Sequence, residues 1–169
     1  MIIDGSEVAT PTPIPNSNPE PMPTAETVAR SSRQRTHIAQ DDVSPTAFSR
    51  LNAARVPLAL EHAKICAKIA DDNKGRDILV LDLRDATAVV DFFVVATAAS
   101  KRQSKALAIE IDIEMKKIGE HKLSMELDEE GRWTLIDYGD FIVHVFSEQA
   151  RDYYRIEDLW ADADRIAWE

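Results

Sequence analysis

Four histidines and one cysteine are the side chains in this sequence best suited to metal or nucleophilic chemistry. The histidines are His37, His62, His121 and His144, and no two have the His-x-x-x-His or His-x-His spacing of metal ligands. None lies at metal-ligand spacing from Cys66 either, so the sequence predicts no metal site and no cofactor. Cys66 falls on the apolar side of a predicted helix without basic neighbours, which favours a buried, unreactive thiol.

Phosphate-binding loops and nucleophile motifs are also missing from the sequence. It has only 5 glycines and contains neither Gly-x-Gly-x-x-Gly nor Gly-x-x-x-x-Gly-Lys, the patterns whose backbone amides hold phosphates. Ser100 lacks the Gly-x-Ser-x-Gly context of a hydrolase nucleophile and instead has the spacing of a helix cap. No residue is therefore predicted to be catalytic.

Aspartates near predicted strand ends leave one enzymatic alternative, a metal-dependent domain resembling nucleotidyltransferases. Carboxylates at strand ends are able to hold Mg²⁺ for phosphoryl transfer. Aspartate is also an ordinary turn residue at such places, and we favour this second interpretation. The residues concerned are Asp82, Asp85, Asp91, Asp137 and Asp140.

The overall composition predicts a globular domain with an appendage. It also predicts a protein that binds other proteins more readily than nucleic acid. The chain has 169 residues, 44% hydrophobic and 30% charged, and its 20 Lys and Arg against 30 Asp and Glu give a net charge of −10. Phosphate binding depends on Lys and Arg, so we expect a basic protein partner and minor or absent direct RNA contact. The single cysteine and the lack of an apolar run of ~20 residues make cytoplasm the default location.

Proline usage divides the chain near residue 56. All 8 prolines lie at or before Pro57, and six of them, from Pro11 to Pro23, are interleaved with Thr, Asn and Ser. Such a segment buries too little apolar surface to fold, so residues 1–55 are predicted to be a disordered extension and residues 56–169 the folded domain. The basic group of Arg30, Arg33 and Arg35 in the extension either contacts RNA or only aids solubility, and we favour solubility.

The hydrophobic periodicity predicts an α/β (α+β) fold in which helices pack on one mixed sheet of about five strands. Ser100 and Gln103 have capping-box spacing, and Gly119 suits the position just after a helix. Strands two and three are joined by a helix and are expected to run parallel, whereas the last three form a meander. Helices are predicted at residues 58 to about 70, 100 to about 118 and from 148, and strands at 78–83, 92–97, 123–127, 132–138 and 141–146.

One predicted strand carries aromatic and acidic side chains that a simple core does not require. Trp133, Leu135 and Asp137 alternate onto one strand face, and the intervening residues, with Tyr138, take the other. Trp and Tyr beside acids are typical of a protein-binding hot spot. The alternative is that Trp133 closes the edge of the core, and His144 is likewise either a core residue or a partner contact.

Three further features have both a functional and a structural explanation. Lys101 and Arg102 lie in the first turn of a predicted helix, where the helix dipole disfavours cations by about 0.3–1 kcal/mol, so they either serve a function or are simply solvated surface residues. Ile109 and Ile113 form a second apolar stripe that a dimer partner or another helix would cover. The segment from residue 148 mixes aromatics with acids, which suits docking on a basic protein surface or an amphipathic closing helix.

Three stretches resemble the ribosomal silencing factor (Iojap-like) family, in the same order along the chain. They are Asp91-Phe92-Phe93-Val94-Val95-Ala96-Thr97 with Ser100 and Gln103, then residues 131–146 (GRWTLIDYGDFIVHVF), then residues 151–160 (RDYYRIEDLW). The resemblance covers about residues 58–165. One departure is Ala98, where the family usually has glycine.

The resemblance implies a mixed-sheet fold shaped like nucleotidyltransferases but without catalysis. It also implies binding to the large ribosomal subunit through its ribosomal protein number fourteen, which blocks subunit joining, represses translation when nutrients are scarce and aids subunit biogenesis. A homodimer is expected for the free protein. Resemblance and residue chemistry together predict seven docking residues: Trp133, Leu135, Asp137, Tyr138, Asp140, Tyr153 and Tyr154.

Overall fold

A computed structural model describes residues 45–169, with side chains described from residue 54 onward. Most of the predicted disordered extension, including Arg30, Arg33 and Arg35, lies outside the described residues. None of the helices in the described part is long and apolar enough to cross a membrane.

Residues 45–169 form one mixed sheet with helices on both of its faces. The strand order is β3-β4-β5-β2-β1-β6, with β2 and β5 parallel and the other neighbouring pairs antiparallel. This arrangement confirms the predicted α/β class. The helices are α1 (Pro45–Asp72), α2 (Lys101–Lys117), α3 (Glu148–Tyr154) and α4 (Ile156–Leu159), and the strands are β1 (Arg76–Asp82), β2 (Phe92–Ala98), β3 (Ser124–Leu127), β4 (Trp133–Asp137), β5 (Phe141–Ser147) and β6 (Asp164–Arg165).

The sheet topology matches the predicted meander but has one more strand than expected. β3, β4 and β5 are consecutive antiparallel neighbours, as predicted. β2 and β3 run in the same direction, but β4 and β5 lie between them. The sixth strand, β6, has only two exposed residues that pair with Leu81 and Asp82, so it has no apolar pattern for a sequence to reveal.

The two long helices differ in how well their ends were predicted. Ser100 caps α2 by accepting a hydrogen bond from the Gln103 amide at 3.2 Å, and Gly119 follows the helix at φ +84°, both as predicted. α1 was expected to start at residue 58 but begins at Pro45, so Pro57 lies inside it. Proline removes one backbone hydrogen bond there, and α1 continues across the gap.

Small side chains allow α1 to lie close against the sheet. Its buried apolar positions are Ala59, Ala63, Cys66, Ala67 and Ala70, and His62 is buried beside them. α2 packs beside it through larger residues, among them Leu107, Ile111 and Met115. Together the two helices cover one sheet face, which carries Phe92, Val94, Ile136, Phe141, Val143 and Val145.

The opposite face of the sheet is covered by α3, α4 and the turn that follows them. Its buried strand residues include Phe93, Val95, Ile142 and Phe146. Trp133 and Leu135 belong to this face and Ile136 and Tyr138 to the first one, which confirms the predicted alternation. Because helices lie on both faces, β2 and β5 are almost continuously apolar.

Ala98, the one departure from the family pattern, is compatible with the local structure. It ends β2, pairs with Ser147 and is 2% exposed. The cap at Ser100 forms two residues later, so the methyl group does not prevent the turn into α2.

Candidate partner-binding surface

Aromatic rings cluster on the sheet face that α3 and α4 cover. We call this side of the sheet the aromatic face; its strand rings are Phe93, Trp133, His144 and Phe146, and Tyr154 and Trp160 pack over them. The Trp133 centroid lies 5.0 Å from that of Phe146 and 5.2 Å from that of Tyr154. Trp160 meets Phe93 edge to face at 6.0 Å. Ring pairs at these separations are attractive beyond the area they bury.

His144 lies at the centre of the aromatic face and is fully buried. Its Nδ1 accepts a hydrogen bond from Trp133 Nε1 at 3.2 Å, while Nε2 has no partner among the described residues. Burial lowers the pKa of His144 to about 3, because no water is available to solvate the imidazolium. His144 is therefore a neutral core histidine, which decides between the two explanations offered by its sequence position.

A buried arginine fixes α3 against the sheet. The Arg151 guanidinium donates to Thr97 Oγ1 at 2.8 Å, to Glu157 Oε1 at 2.9 Å and to the Asp77 carbonyl. Asp77 itself has a left-handed backbone, with φ +50°, at an irregularity in the β1–β2 pairing. Arg151 is only 9% exposed, so these hydrogen bonds, rather than water, stabilise its charge. The same contacts fix the orientation of α3 and therefore of Tyr153 and Tyr154, which follow Arg151 in the helix.

The outer side of α3 and α4 presents large apolar groups to solvent between acids. Tyr153 is 80% exposed and Leu159 is 64% exposed. Tyr153 stands at 89° to Tyr154, with ring centroids 5.0 Å apart, so the rings extend from buried Trp133 to the surface. Asp152 and Asp162 are exposed in the same segment and form no ion pair with any described residue. We call Asp152, Tyr153, Tyr154, Leu159 and Asp162 the acidic-aromatic surface.

The remaining predicted docking residues lie at the turn between β4 and β5. Asp137 accepts the Gly139 amide at 2.8 Å, which stabilises the turn. Asp140 is half-buried and accepts Arg55 Nε from α1 at 2.7 Å. Tyr138 stacks on Phe141 at 4.7 Å within the first face, and burial raises its pKa.

The seven predicted docking residues therefore do not share one exposed surface. Tyr153 is exposed, and Tyr154 and Asp140 are half-buried. Trp133 and Leu135 are each 7% exposed, because α3 and α4 cover the strand face that the sequence predicted to be accessible to a partner. Asp137 and Tyr138 are each 3% exposed at the other end of β4.

Two contributors to this region were not predicted from the sequence. Leu159 gave no sign of exposure, because a leucine in an amphipathic segment is normally taken as core. Arg151 was treated as part of a charged segment, although a single arginine among acids is the residue type best suited to a buried, forked set of hydrogen bonds.

Three of the five aspartates near the strand ends have a side-chain partner: Asp82 and Asp140 pair with arginines, and Asp137 caps the turn after β4. Asp82 accepts Arg84 Nε at 2.8 Å, and this hydrogen bonding lowers the pKa of the carboxyl group. Burial, and then the neighbouring Asp140, raise the pKa of Asp91. Among residues 45–169, no group of three or more His, Cys, Asp or Glu side chains is arranged to hold a metal ion.

Cys66 is fully buried on the inner side of α1. Burial is the main reason that the pKa of its thiol is raised, with the Glu120 carboxylate as a second cause. A thiol held in its neutral form is a poor nucleophile, in agreement with the predicted structural role.

Known proteins resemble this chain over most of the described region. The family model described as "Ribosomal silencing factor during starvation" matches residues 57–169. The chain is 41% identical over 100 residues to the ribosomal silencing factor RsfS of Bacillus subtilis, covering 59% of this chain and 85% of that protein. It is 35% identical over 127 residues to the chloroplastic protein Iojap of Arabidopsis thaliana, covering 75% of this chain and 51% of that protein.

Solved structures agree with these sequence matches. A crystal structure of a Chromobacterium violaceum protein superposes with a TM-score of 0.58 at 40% identity, covering 60% of this chain and 85% of that one. A Bacillus halodurans structure gives a TM-score of 0.53 at 31% identity, covering 60% of this chain and 92% of that one. Since the family model spans the sheet, α2 and the aromatic face, this chain belongs to the RsfS family of ribosomal silencing factors.

Proposed function

We propose that this protein silences translation by binding the large ribosomal subunit through its ribosomal protein number fourteen. The bound protein sterically blocks joining of the two subunits when nutrients are limited, and its docking also assists large-subunit biogenesis. The activity belongs in the cytoplasm, where subunits join. Steric occlusion requires affinity and no turnover, so the proposal assigns no catalytic residue and no cofactor.

The acidic-aromatic surface is the observation that carries this proposal. Tyr153 is 80% exposed and Leu159 is 64% exposed, so a partner that covered them would remove apolar area from water, which favours binding. Residues 148–169 contain 7 acids and 3 bases, so the surroundings of these side chains are acidic. Ribosomal proteins that contact RNA carry basic surfaces, which complement this charge.

The proposed contacts divide into those that touch the partner and those that support them. Tyr153, Tyr154 and Asp140 of the predicted set have exposed atoms, and Leu159 joins them. Trp133 and Leu135 act from beneath, since the Trp133 ring supports Tyr154 at 5.2 Å. Asp137 and Tyr138 hold the β4–β5 turn, which presents Asp140.

Co-sedimentation with ribosomal subunits tests the proposal most directly. In sucrose gradients at moderate salt, we expect the protein to travel with free large subunits and not with small ones. Tyr153→Ala removes an exposed ring without disturbing the core and is expected to weaken binding by about 2 kcal/mol, or roughly 30-fold. Leu123→Ala is the matched control, because Leu123 is 59% exposed but lies before β3, outside the acidic-aromatic surface.

Two outcomes of this assay would contradict different parts of the proposal. A wild-type protein that stays at the top of the gradient rules out ribosome docking. Normal binding by Tyr153→Ala, with Leu123→Ala unchanged, rejects the acidic-aromatic surface while leaving docking intact. Trp133→Ala is a less informative variant, because loss of a buried tryptophan destabilises the fold as well.

The identity of the partner and the mechanism need a second measurement. Purified ribosomal protein number fourteen is expected to bind the wild-type chain and to bind Tyr153→Ala more weakly. Adding the chain to isolated subunits is expected to reduce the light scattering that accompanies subunit joining. Binding to the subunit without any effect on joining would contradict steric occlusion.

The exposed stripe of α2 supports a second proposal, that the free protein forms a homodimer. Ile109 and Ile113 lie one turn apart and are each 44% exposed. Ile113→Asp would place a charge in that contact and is expected to give a folded monomer by light scattering. A folded monomer that has lost all partner binding would instead indicate a scaffold whose function requires the dimer.

A further inference from the structure

Most positive charges in the described domain are paired with acids, and the unpaired ones are concentrated near the start of α2. Residues 56–169 contain 15 Lys and Arg, and nine of these form ion pairs with acids in the described part of the chain. Four of the other six lie together at the start of α2 and in the loop beside it: Lys74, Lys101, Arg102 and Lys105. We call these four residues the basic patch.

The side chain of Gln103 holds the two parts of the basic patch together. Its Nε2 donates to the Lys74 carbonyl at 2.8 Å, and its Oε1 accepts the Ala99 amide at 2.7 Å. Lys105 is one helical turn from Lys101 and Arg102, so the three cations are surface neighbours. All four basic residues are exposed, as is Ala106, which lies one helical turn after Arg102.

The acids nearest the basic patch are engaged elsewhere. Asp128 and Glu130 pair with Arg132, and Glu148 pairs with Arg76. The Lys101 ammonium donates to the main-chain carbonyl of Glu129, a neutral acceptor that leaves its charge uncompensated. Glu129 is exposed and borders the patch, and the exposed Asp77, three residues after Lys74, forms no ion pair with a described residue, so the free carboxylates near the patch are fewer than its four cations.

Helix stability does not account for these cations. A positive charge in the first turn opposes the helix dipole, and like charges three or four residues apart repel each other. The other end of α2 shows the favourable arrangement, with Lys116 paired to Asp112 and Lys117 to Glu114. The basic patch therefore lowers the stability of α2, and an external anion would reverse that effect.

We infer that the basic patch contacts the phosphate backbone of ribosomal RNA when the protein is docked on the large subunit. Three of the four cations are lysines, which act as point charges and suit phosphate oxygens without a fixed geometry. An acidic protein partner would be bound better by arginines, whose guanidinium groups form bidentate pairs with carboxylates. Because the rest of the domain is acidic, RNA contact is confined to this patch and helps to orient the protein on the subunit.

This inference rests on the proposed ribosome docking, and its test separates the two. The affinity of the full chain for purified large subunits is measured from 50 to 200 mM KCl for the wild type and for R102Q/K105Q. The control is K64Q/R165Q, which removes the same charge from two other cations that form no ion pair with described residues. Loss of two phosphate contacts should lower the slope of log affinity against log salt by about 1.4–1.8.

The expected result is that R102Q/K105Q binds more weakly and that its deficit shrinks roughly tenfold over this salt range. An R102Q/K105Q slope equal to that of K64Q/R165Q overturns the RNA contact while docking stands. Failure of the wild type to bind at any salt concentration overturns docking itself, and with it this inference.

Crosslinking identifies the class of partner. A benzophenone side chain at position 106 of the full chain, irradiated on large subunits, is expected to give a product sensitive to ribonuclease. The same group at Ala161, in the turn after α4, should give protein crosslinks instead. Crosslinks from position 106 to protein alone would assign the patch to an acidic protein surface and overturn the RNA contact.

Discussion

The two faces of the sheet are covered in different ways. On the first face, α1 and α2 lie over a core of mostly aliphatic and small side chains, with Phe92, Phe141 and Tyr138 as its aromatic members. On the aromatic face, α3, α4 and the turn after them span only residues 148–163 and cover rings that include a histidine. The long helices bury the strand residues of the first face and leave Ile109 and Ile113 of α2 each 44% exposed, whereas the short segment leaves Tyr153 80% and Leu159 64% exposed.

On the proposed function, the first face supplies most of the stability and the segment that covers the aromatic face supplies the contacts to ribosomal protein. Long helices bury a continuous apolar stripe, which supplies most of the free energy that opposes unfolding. A short segment that depends on a few ring contacts and on Arg151 is easier to displace, and it carries the side chains that we propose to meet the ribosome. Binding surfaces are commonly drawn from such less stable parts of a fold.

Equal deletions on the two faces give the largest expected effects. Leu107→Ala, fully buried on the first face, is expected to lower the free energy of unfolding by about 2–5 kcal/mol. Ile156→Ala, 7% exposed on the aromatic face, should cost about 2 kcal/mol or less, because the four-residue α4 is able to collapse onto the gap. Urea denaturation of both variants measures the difference. Equal losses would refute the division between a stabilising and a recognising face.

The sequence predicted those elements whose signals are local. Ser100, Gln103 and Gly119 specify both ends of α2 through contacts within a few residues of each other. The alternation in β4 correctly assigned Trp133 and Ile136 to opposite sides of the sheet. Periodicity cannot, however, tell a solvent-exposed face from one covered by a distant helix, so Trp133 was predicted to be accessible and is buried.

Features that depend on distant contacts were missed for the same reason. The parallel pairing of β2 with β5 joins residues about fifty positions apart. β6 exists because Leu81 and Asp82 offer it a free edge, and its own residues have no strand pattern. The docking residues were predicted by type, as aromatics beside acids, but which of them reach solvent depends on the fold of residues 148–163.

Acidification should destabilise the aromatic face specifically. The folded-state pKa of His144, about 3, is below its unfolded value of about 6.5, so the unfolded chain binds a proton first as pH falls. The stability contributed by neutral His144 is complete above pH 6.5 and is lost progressively as pH falls toward 3. Each pH unit in that window is expected to cost about 1.4 kcal/mol.

His144→Gln isolates this effect, because glutamine accepts the Trp133 hydrogen bond but does not titrate. Urea unfolding at pH 7 and at pH 5 is expected to show a smaller loss of stability in the variant than in the wild type. The carboxylates titrate in both proteins, so their contribution to the pH dependence of stability cancels in the comparison. An identical pH dependence would mean that water reaches His144 and that the aromatic face is not sealed.

Hydrogen exchange resolves the two faces without any substitution. The amide of Arg155, which donates to the Arg151 carbonyl in α3, is expected to exchange through a local opening. Amides in the middle of α2 should exchange only on global unfolding, which separates the two by at least about 1 kcal/mol of opening free energy. Addition of large subunits should slow exchange in residues 148–163. Uniform protection across both regions in the free protein would contradict the comparison.

The smallest expected effect lies at a position that belongs to neither apolar cluster. Asp91 precedes β2 beside Asp140, and burial followed by that neighbouring charge raises its pKa. An acid whose folded pKa is raised favours the folded state when protonated, so this contribution is full below the unfolded pKa and is lost as pH rises. Asp91→Asn keeps the neutral form at every pH. It should therefore raise stability at pH 7 by less than about 1 kcal/mol, because solvent screens a half-exposed carboxylate, and should make no difference near pH 3.

Ribosome affinity should not change, since Asp91 lies outside the acidic-aromatic surface and the basic patch. A variant that gains stability but binds more weakly would show that the β4–β5 turn, through Asp140, contributes to docking.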